Sequence, residues 1–248
     1  MQHHENSYAY GVVSRTIRSM GNDLLDRLRT GLAAMADPAR APQMQAYMKS
    51  TMPYLGVGVP AVRRLTRASA TEAPPHDGNE LEAVVRELWA CAHHREERYA
   101  AIALLDTTAA RAVRSPWHLG LVRDLIVDGA WWDYVDELSH RVGDLLGEWP
   151  NDVRPEICGW AGAPDRWLRR SAIICQLGHK GHTDLDLLTQ AIEHNRTHED
   201  FFVRKAIGWA LRDYARTDPD WVRAFVASHA LSPLSRREAL KHLAATAP

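Results

Sequence analysis

The feature that most constrains this chain is the position of its helix starts. In four places a capping residue is followed by proline, a pair that favours the first turn of an α-helix: Asp37-Pro38, Ser115-Pro116, Asp218-Pro219 and Ser232-Pro233. Between such starts the apolar residues recur with a helical period, and strand-like alternation of Val, Ile and Thr is almost missing. The sequence therefore predicts an all-α fold.

The predicted helices are short and follow one another closely. A loop is expected over 71–78, followed by helices near 79–92, 94–110, 116–128, 130–146, 149–161, 165–178, 183–195, 199–216, 219–228 and 233–245. Such a series favours a solenoid of stacked antiparallel helical pairs, and a compact bundle fits the same pattern. We expect one such domain over 19–248, preceded by an extension over 1–18 that lacks an apolar stripe.

Composition and charge exclude several classes of protein. With 248 residues, 46% of them apolar, the chain can bury a sizeable core, and its formal net charge of −1 requires any DNA-binding surface to be a local patch. The three cysteines lack the spacing of a zinc site, so we expect them to be reduced and structural. No leader and no apolar run of about twenty residues is visible. We therefore expect a cytoplasmic protein with no membrane contact, no metal and no other cofactor.

The segment WWDYVDELSHRVGDLL combines a core stripe with an unusual polar face. The stripe begins at Trp131 and continues through valines and leucines. Trp132 and Asp136 are four residues apart, so they share a second face, which continues through small and polar residues including Ser139 and Gly143. This face fits a functional site. It also fits the edge of an inter-helix contact, with Asp136 solvated or bridged to an arginine.

The segment FFVRKAIGWALRDYART places a tryptophan among cations. Lys205, Gly208, Trp209 and Arg212 follow one face of the predicted helix, beside an apolar stripe. Glycine inside a helix costs about 1 kcal/mol relative to alanine, so Gly208 indicates that something approaches the backbone closely. A neighbouring helix or a ligand would each explain it.

Three arginines open another buried helix, DRWLRRSAIICQLGHK. Cations are disfavoured at the positive end of a helix, so Arg166, Arg169 and Arg170 favour an external anion such as phosphate. Salt bridges to neighbouring carboxylates are the alternative explanation for this cluster.

Several segments together resemble a known family. YMKSTMPYLGVGVPAVRRL, WWDYVDEL, WLRRSAIICQL, FFVRKAIGWALRDYARTDP and LSPLSRREALKHL are similar, in order and over about 40–245, to the signature segments of the AlkD-type DNA alkylation repair family. The resemblance implies a solenoid of HEAT-like helical pairs whose concave basic face binds double-stranded DNA. It also implies a DNA glycosylase that removes N3- and N7-alkylated purines in base excision repair, some members removing bulky natural-product adducts.

The same resemblance assigns roles to individual residues. It places the catalytic carboxylate on Asp136 and the two tryptophans that flank the deoxyribose of the lesion on Trp132 and Trp209. It places a phosphate contact on Arg170 and an aromatic contact to DNA on Tyr47. Further basic residues expected to hold DNA phosphates are Arg166, Arg169, Lys205 and Arg212.

The sequence leaves a second function open. A non-catalytic HEAT-like DNA-binding or scaffold protein would share the fold, but it would not need a carboxylate facing an anionic duplex, so Asp136 with both tryptophans favours the enzyme. One departure from the family is Gly178, which stands where relatives can carry lysine. We expect a monomer that acts on nucleoid DNA and, as the family does, reads the lesion within the duplex.

Overall fold

The computed structural model describes residues 23–243, and this part of the chain is built from helices joined by short turns, with no strand. The all-α prediction is confirmed. No helix within the described residues is long and apolar enough to cross a membrane. The chain divides into two compact units, Met1–His118 and Leu119–Pro248. The extension expected over 1–18 lies outside the described residues, and the single domain over 19–248 stays a prediction.

The first unit is formed by α1 to α6. Their bounds are 23–34 for α1, Ala41–Met48 for α2, Val59–Glu72 for α3, Gly78–Ala90 for α4, Arg95–Leu104 for α5 and Thr108–Val113 for α6. Helix α5 packs against α3 and α4, and α6 contacts the same two helices. Leu32, Val57, Val62 and Ala100 form a buried apolar cluster of this unit.

A buried carboxylate fixes the loop between α2 and α3. Glu96, on α5, is fully buried and accepts hydrogen bonds from the backbone N–H groups of Leu55 (2.9 Å), Gly56 (2.9 Å) and Val57 (3.0 Å). Gly56 has a φ of +89°, and a Cβ at this position would lie 2.1 Å from the carbonyl oxygen of Asp37. Only glycine fits such a backbone. The loop therefore depends on the Glu96 carboxylate and on a residue without a side chain at position 56.

The second unit is formed by α7 to α14. Their bounds are His118–Gly129, Trp132–Glu148, Pro150–Ala161, Arg166–Ile174, Leu185–Glu193, Phe201–Tyr214, Pro219–Ser228 and Pro233–Ala239 for α7 to α14 in order, with a 3-10 turn at Lys180–His182. Helix α10 is central, because it packs against α8, α9, α11 and α12. Helix α12 in turn packs against α14.

Side-chain caps set most of the helix starts in the second unit. Asp165, Asp184, Asp200, Asp218 and Ser232 each accept a hydrogen bond from a first-turn amide of the helix that follows. A cap of this kind stabilises a helix by about 1 kcal/mol. The helices that carry the candidate site, α10 and α12, therefore begin where short polar residues place them.

Two of the four predicted proline starts are confirmed, those of α13 and α14. The other two are wrong. The Asp37 carboxylate accepts the amide N–H of Ala39 (3.1 Å) and closes a turn, so α2 begins only at Ala41. The Nδ1 of His118 accepts the amide N–H of Ser115 (3.0 Å), and α7 begins at His118. In both places a side-chain hydrogen bond stabilises a turn ahead of the helix.

The helix predicted over 94–110 is two helices. Thr107 donates its hydroxyl to the carbonyl of Leu104 (2.8 Å) and accepts the amide N–H of Ala110 (3.2 Å), which ends α5 and caps α6. The loop predicted over 71–78 is shorter than expected, because α3 continues to Glu72.

The cysteines are free thiols. Burial raises the pKa of Cys175 to about 12, as expected for a core thiol. Cys158 is partly exposed and Cys91 is exposed at the end of α4, so the structural role expected of all three fits Cys175 best and Cys91 least.

Candidate active site

Asp136 lies on α8, next to the buried apolar side of this helix. Val135, Leu138 and Val142 are fully buried, which confirms the predicted core side of this helix. Trp132 is the first residue of α8 and lies one turn before Asp136, so both side chains leave the helix on the same face. Both side chains are partly exposed.

The Asp136 carboxylate is held at both oxygens by Arg170, which lies on α10. Arg170 Nε donates to Oδ1 (2.7 Å) and Nη2 donates to Oδ2 (2.9 Å). The remaining terminal nitrogen, Nη1, donates to the backbone carbonyl of Phe202 on α12 (2.6 Å). The Arg170 side chain is 6% exposed, whereas that of Asp136 is 16% exposed. The bridge therefore joins three helices, and its carboxylate side retains access to solvent.

The electrostatic state of Asp136 reflects two opposing effects. Burial raises the pKa of its carboxyl above the ordinary aspartate value, and the hydrogen bonds and charge of Arg170 work against this rise. The carboxyl is thus more basic than an exposed aspartate, a property suited to interaction with a water molecule or a developing positive charge.

Trp209 completes the cluster from α12. The Arg170 guanidinium carbon lies 5.8 Å from the centroid of the Trp209 ring, within the range of a cation–π contact. Asp136 on α8 therefore contacts Arg170 on α10, and Arg170 in turn contacts the indole of Trp209 on α12.

Part of the α8 face singled out from the sequence serves helix packing. Ser139 is buried and donates its hydroxyl to the carbonyl of Val135 (2.6 Å), while its Oγ lies within hydrogen-bond distance of Ser171 Oγ on α10 (3.0 Å). A Cβ at Gly143 would lie 2.1 Å from the carbonyl oxygen of Cys175. The small residues of this face allow α8 and α10 to approach closely, which is what lets Arg170 reach Asp136.

An aromatic cluster lies beside the site. Trp131 caps the start of α8, and its ring centroid is 6.4 Å from that of Trp167 and 6.0 Å from that of Phe202. Trp167 and Phe202 are 5.0 Å apart. This cluster agrees with the structural role predicted for Trp131. It includes Phe202, whose backbone carbonyl accepts the hydrogen bond from Arg170 Nη1.

Gly208 is explained by a neighbouring helix. A Cβ at this position would lie 2.4 Å from the Cβ of Glu238 and 2.9 Å from the carbonyl oxygen of Ser235, both on α14. Of the two explanations that the sequence left open, helix packing accounts for the close approach.

The cations beside Trp209 pair with the same helix. Glu238 Oε2 lies 3.0 Å from Lys205 Nζ and 2.7 Å from Arg212 Nη1. The hydrogen bond from Lys205, together with that from Arg212, holds the pKa of Glu238 below its ordinary value. Glu238 was not singled out from the sequence, although it lies within the signature segment LSPLSRREALKHL.

The other two arginines of α10 also have partners within the unit. Arg166 pairs with Asp200 (3.0 Å) and lies over the ring of Trp167. Arg169 donates to Asn195 Oδ1 (3.0 Å), to the carbonyl of Gly162 (3.0 Å) and to neighbouring carbonyls at the end of α9. In the free protein, each of the three guanidinium groups of this cluster therefore pairs with acceptors on neighbouring residues.

Tyr47 belongs to the first unit, on α2, where it is 76% exposed. A large aromatic side chain so exposed is available to a partner. Its role at the DNA stays a prediction.

Backbone geometry explains the departure at Gly178. Its φ is +83°, a region that strains other residues, and its amide donates to Asp213 Oδ2 (2.8 Å). A lysine at this position would be strained in the present backbone.

No metal site is evident in the described part of the chain. Residues 23–243 contain no group of three or more His, Cys, Asp or Glu side chains arranged to hold an ion.

The fold and this cluster define a helical-repeat protein with a site centred on a carboxylate. The chain matches the family model described as "DNA alkylation repair enzyme" over residues 28–243. It is 34% identical to a solved structure from Enterococcus faecalis described as a predicted DNA alkylation repair enzyme; the match covers 84% of this chain and 97% of the other, with a TM-score of 0.76. This chain belongs to the DNA alkylation repair enzyme family, as its signature segments predicted. Membership gives it a role in DNA repair, with DNA as the substrate.

Two more distant structures share the fold. AlkD2 from Streptococcus mutans is 17% identical, with a TM-score of 0.60 over 81% of this chain and 98% of the other. The smu.31 protein from Streptococcus mutans UA159 is 18% identical, with a TM-score of 0.56 over 74% of this chain and 98% of the other. A search among curated proteins gave no significant match.

Proposed function

We propose that this protein is a DNA glycosylase that hydrolyses the N-glycosidic bond of N3- and N7-alkylated purines in duplex DNA. The observation that carries the proposal is Asp136, a carboxylate that Arg170 holds at both oxygens while it keeps access to solvent, next to the ring of Trp209. We further propose that the protein acts without a cofactor, as a monomer, on nucleoid DNA in the cytoplasm.

The chemistry of the lesion explains why one carboxylate suffices. Alkylation at N3 or N7 gives the purine a positive charge, so the base leaves readily and the sugar develops oxocarbenium character. The enzyme then has to stabilise positive charge and orient a water molecule. Asp136 would do both, and such electrostatic and general-base contributions are each worth on the order of 10²–10⁴ in rate.

Trp132 and Trp209 would stabilise the same charge through their rings. The face of an indole is negative, and a cation held against it gains roughly 0.5–2 kcal/mol. Trp132 lies one turn from Asp136 on α8, and Trp209 approaches from α12. The two rings would therefore flank a sugar placed at Asp136.

Arg170 would have two roles. Its bonds to Asp136 and Phe202 use Nε–H and one N–H on each terminal nitrogen, so two of its five N–H groups remain for a DNA phosphate. A phosphate bound there would lie close to the carboxylate, so one guanidinium would fix both the catalytic group and the DNA backbone.

The other predicted DNA contacts differ in how readily phosphate could reach them. Arg166 is half exposed and pairs with Asp200, an arrangement that phosphate can replace at small cost, because exposed ion pairs are worth about 0–1 kcal/mol. Lys205 and Arg212 would have to exchange Glu238 for phosphate. Arg169 has its guanidinium occupied by the end of α9, so it supports the site mainly through structure. Tyr47, which is exposed in the first unit, would contact the duplex through its ring.

A non-catalytic DNA-binding or scaffold protein is the second candidate. The bridge between Asp136 and Arg170 favours it, since a contact between two helices already satisfies this carboxylate without a substrate. The two candidates differ in what they predict for Asp136, because a scaffold gains affinity when this negative charge is removed and has no reaction to lose.

The test uses duplexes that contain 7-methylguanine, 3-methyladenine or a bulky N3-alkyladenine, with release of the base as the readout. We expect Asp136→Asn to lose on the order of 10²–10⁴ in rate and to keep or improve its affinity for DNA. Asp144→Asn is the matched control, because it breaks a similar pair with Arg141 (2.9 Å) on the same helix. Unchanged base release by Asp136→Asn would overturn the mechanism, and no release by the wild type would favour the scaffold.

The same panel of duplexes identifies the preferred adduct. Methylpurine lesions and bulky adducts would use the same carboxylate and tryptophans. Selective release of the bulky base would indicate protection against a DNA-alkylating natural product, whereas release of methylpurines would indicate general repair.

A further inference from the structure

On the face of α12 that carries Trp209, two cations pair with one side chain of α14. Lys205 lies four residues before Trp209 and Arg212 three residues after it, so all three share this face. The carboxylate of Glu238, whose side chain is 13% exposed, accepts from both cations through Oε2. Two positive charges thus share one negative charge beside the ring proposed to contact the sugar.

Helix α14 is attached to α12 independently of this carboxylate. Gly208 lets the backbone of α14 approach closely, and the hydroxyl of Ser235 donates to the carbonyl of Arg204 (2.9 Å). Ser235 and Ala239 are fully buried. The ion pairs of Glu238 are therefore an addition to a contact that is already made, and they act on Lys205 and Arg212 more than on the position of α14.

Glu238 places a carboxylate against these cations where a phosphate of DNA would otherwise lie. Its geometry, one oxygen accepting from an ammonium and a guanidinium group, is also one that a phosphate oxygen can adopt. Lys205 and Arg212 keep further N–H groups, but Glu238 offsets one of their two positive charges, so a phosphate meets the full attraction of both cations only where it displaces the carboxylate.

We propose that Glu238 is an internal substitute for a DNA phosphate, which occupies Lys205 and Arg212 in the free protein and sets the selectivity of this face. Undamaged DNA, which is held loosely, leaves the carboxylate in place. A duplex held with its sugar against Trp209 brings a phosphate close enough to replace it. The two cations then add affinity only to the productive complex. This inference rests on the proposed function for the DNA-binding roles of Lys205 and Arg212.

The experiment measures binding of an undamaged duplex at several salt concentrations by fluorescence anisotropy. Glu238→Gln frees both cations, and each new phosphate contact steepens the plot of log affinity against log salt by about 0.9. We expect the slope to steepen by about one to two units and the affinity at low salt to rise about tenfold. Asp220→Asn is the matched control, because it frees Arg223 on α13 by the same change of charge (2.7 Å pair), and we expect its slope to stay close to that of the wild type.

A second variant keeps the test sharp if Glu238→Gln unfolds in thermal melts. Glu238→Asp keeps the negative charge but withdraws it by one methylene group, so both cations are held less firmly and the slope on undamaged DNA should steepen, by less than in Glu238→Gln. A slope equal to that of the wild type in either folded variant would overturn the proposal.

The outcome is separable from that of the glycosylase proposal. Affinity for undamaged DNA does not involve base release, so the Glu238 result stands whether or not the wild type excises a base. Failure of the glycosylase proposal appears instead as methylated duplexes that keep their bases.

Discussion

One carboxylate in each unit, Glu96 in the first and Asp136 in the second, is largely removed from solvent, and these two are stabilised in different ways. Glu96, in the first unit, is fully buried and accepts three backbone N–H groups of a loop. Asp136, in the second unit, is held by one arginine side chain and retains 16% exposure. A carboxylate bound by the backbone is part of the loop structure, whereas one bound by a side chain can face a substrate. Burial alone therefore does not single out the proposed catalytic group, and the type of hydrogen-bond donor separates Asp136 from Glu96.

The largest expected effect on stability is that of Glu96→Gln, which is the counterpart in the first unit of Asp136→Asn in the second. Glu96→Gln replaces an acceptor oxygen with an NH2 group that faces backbone N–H donors, so we expect unfolding to become easier by about 3 kcal/mol. Base release per folded molecule should not change. Urea denaturation and single-turnover assays measure the two quantities. A Glu96→Gln variant that is stable but inactive would remove the distinction between the two carboxylates.

Gly143→Ala tests whether the Asp136 bridge depends on close helix packing. The added Cβ meets the carbonyl oxygen of Cys175, so α8 and α10 must separate, at a cost of about 2 kcal/mol in stability. Base release should fall as well, because Asp136 and Arg170 lie on these two helices. Gly147→Ala is the control on the same helix, where a Cβ meets nothing within 4 Å. Equal effects of the two changes on thermal melts would contradict the packing argument.

Arg170→Ala separates the two roles proposed for the guanidinium. If Arg170 contacts phosphate, the salt slope of DNA binding decreases in magnitude by about one unit, and we expect this result. Base release should also fall, because Asp136 loses its orientation. Arg154→Ala, which breaks the pair with Asp184 (2.7 Å), is the control. A slope equal to that of the wild type would limit Arg170 to positioning the carboxylate.

The smallest effect is a shift in pH dependence. Burial raises the pKa of Asp136, and the proposed reaction needs its ionised form. When the solution is acidified, base release should therefore be lost at a higher pH than it would be with an ordinary aspartate. Arg170 and His140 favour the ionised form and Asp133 opposes it, so Arg170→Gln should move this acid limb to higher pH. Single-turnover rates at saturating enzyme measure the shift. An acid limb at the ordinary aspartate value in the wild type would contradict the effect of burial.

The linked effect on stability has a defined sign. A carboxyl whose pKa is raised by folding binds its proton more tightly in the folded state. The contribution of Asp136 to stability is therefore present below the ordinary aspartate pKa and is lost as the pH rises through the raised value. Exposed aspartates that gain a partner on folding show the opposite dependence.

Much of the fold could be predicted because it depends on local patterns. The helical period and the start signals at α13 and α14 lie within single segments, so the all-α class and several boundaries followed from the sequence. The same local reasoning drew attention to Asp136, Trp132 and Trp209 as residues that do not fit a core stripe. It could not show that Arg170, thirty-four positions from Asp136, bridges to it.

The residues that sequence reasoning missed act through distant partners. The donors to Glu96 are backbone N–H groups some forty residues away, and every residue except proline offers the same group. Glu238 shows no pattern within its own helix, because its partners lie on α12. The proline starts at Pro38 and Pro116 failed for a local reason, since side chains of Asp37 and His118 stabilise turns that a helix-start signal does not reveal.

The loop bound by Glu96 has a consequence for how this part of the molecule can vary. The carboxylate contacts main-chain N–H groups at positions 55–57 and makes none of these bonds to their side chains. Side-chain identity can therefore change at the outer two positions within the limits of packing, while proline is excluded from all three. An inserted or deleted residue would move every donor out of register. In this stretch the number of residues therefore constrains the structure more than the identity of the side chains at positions 55 and 57 does.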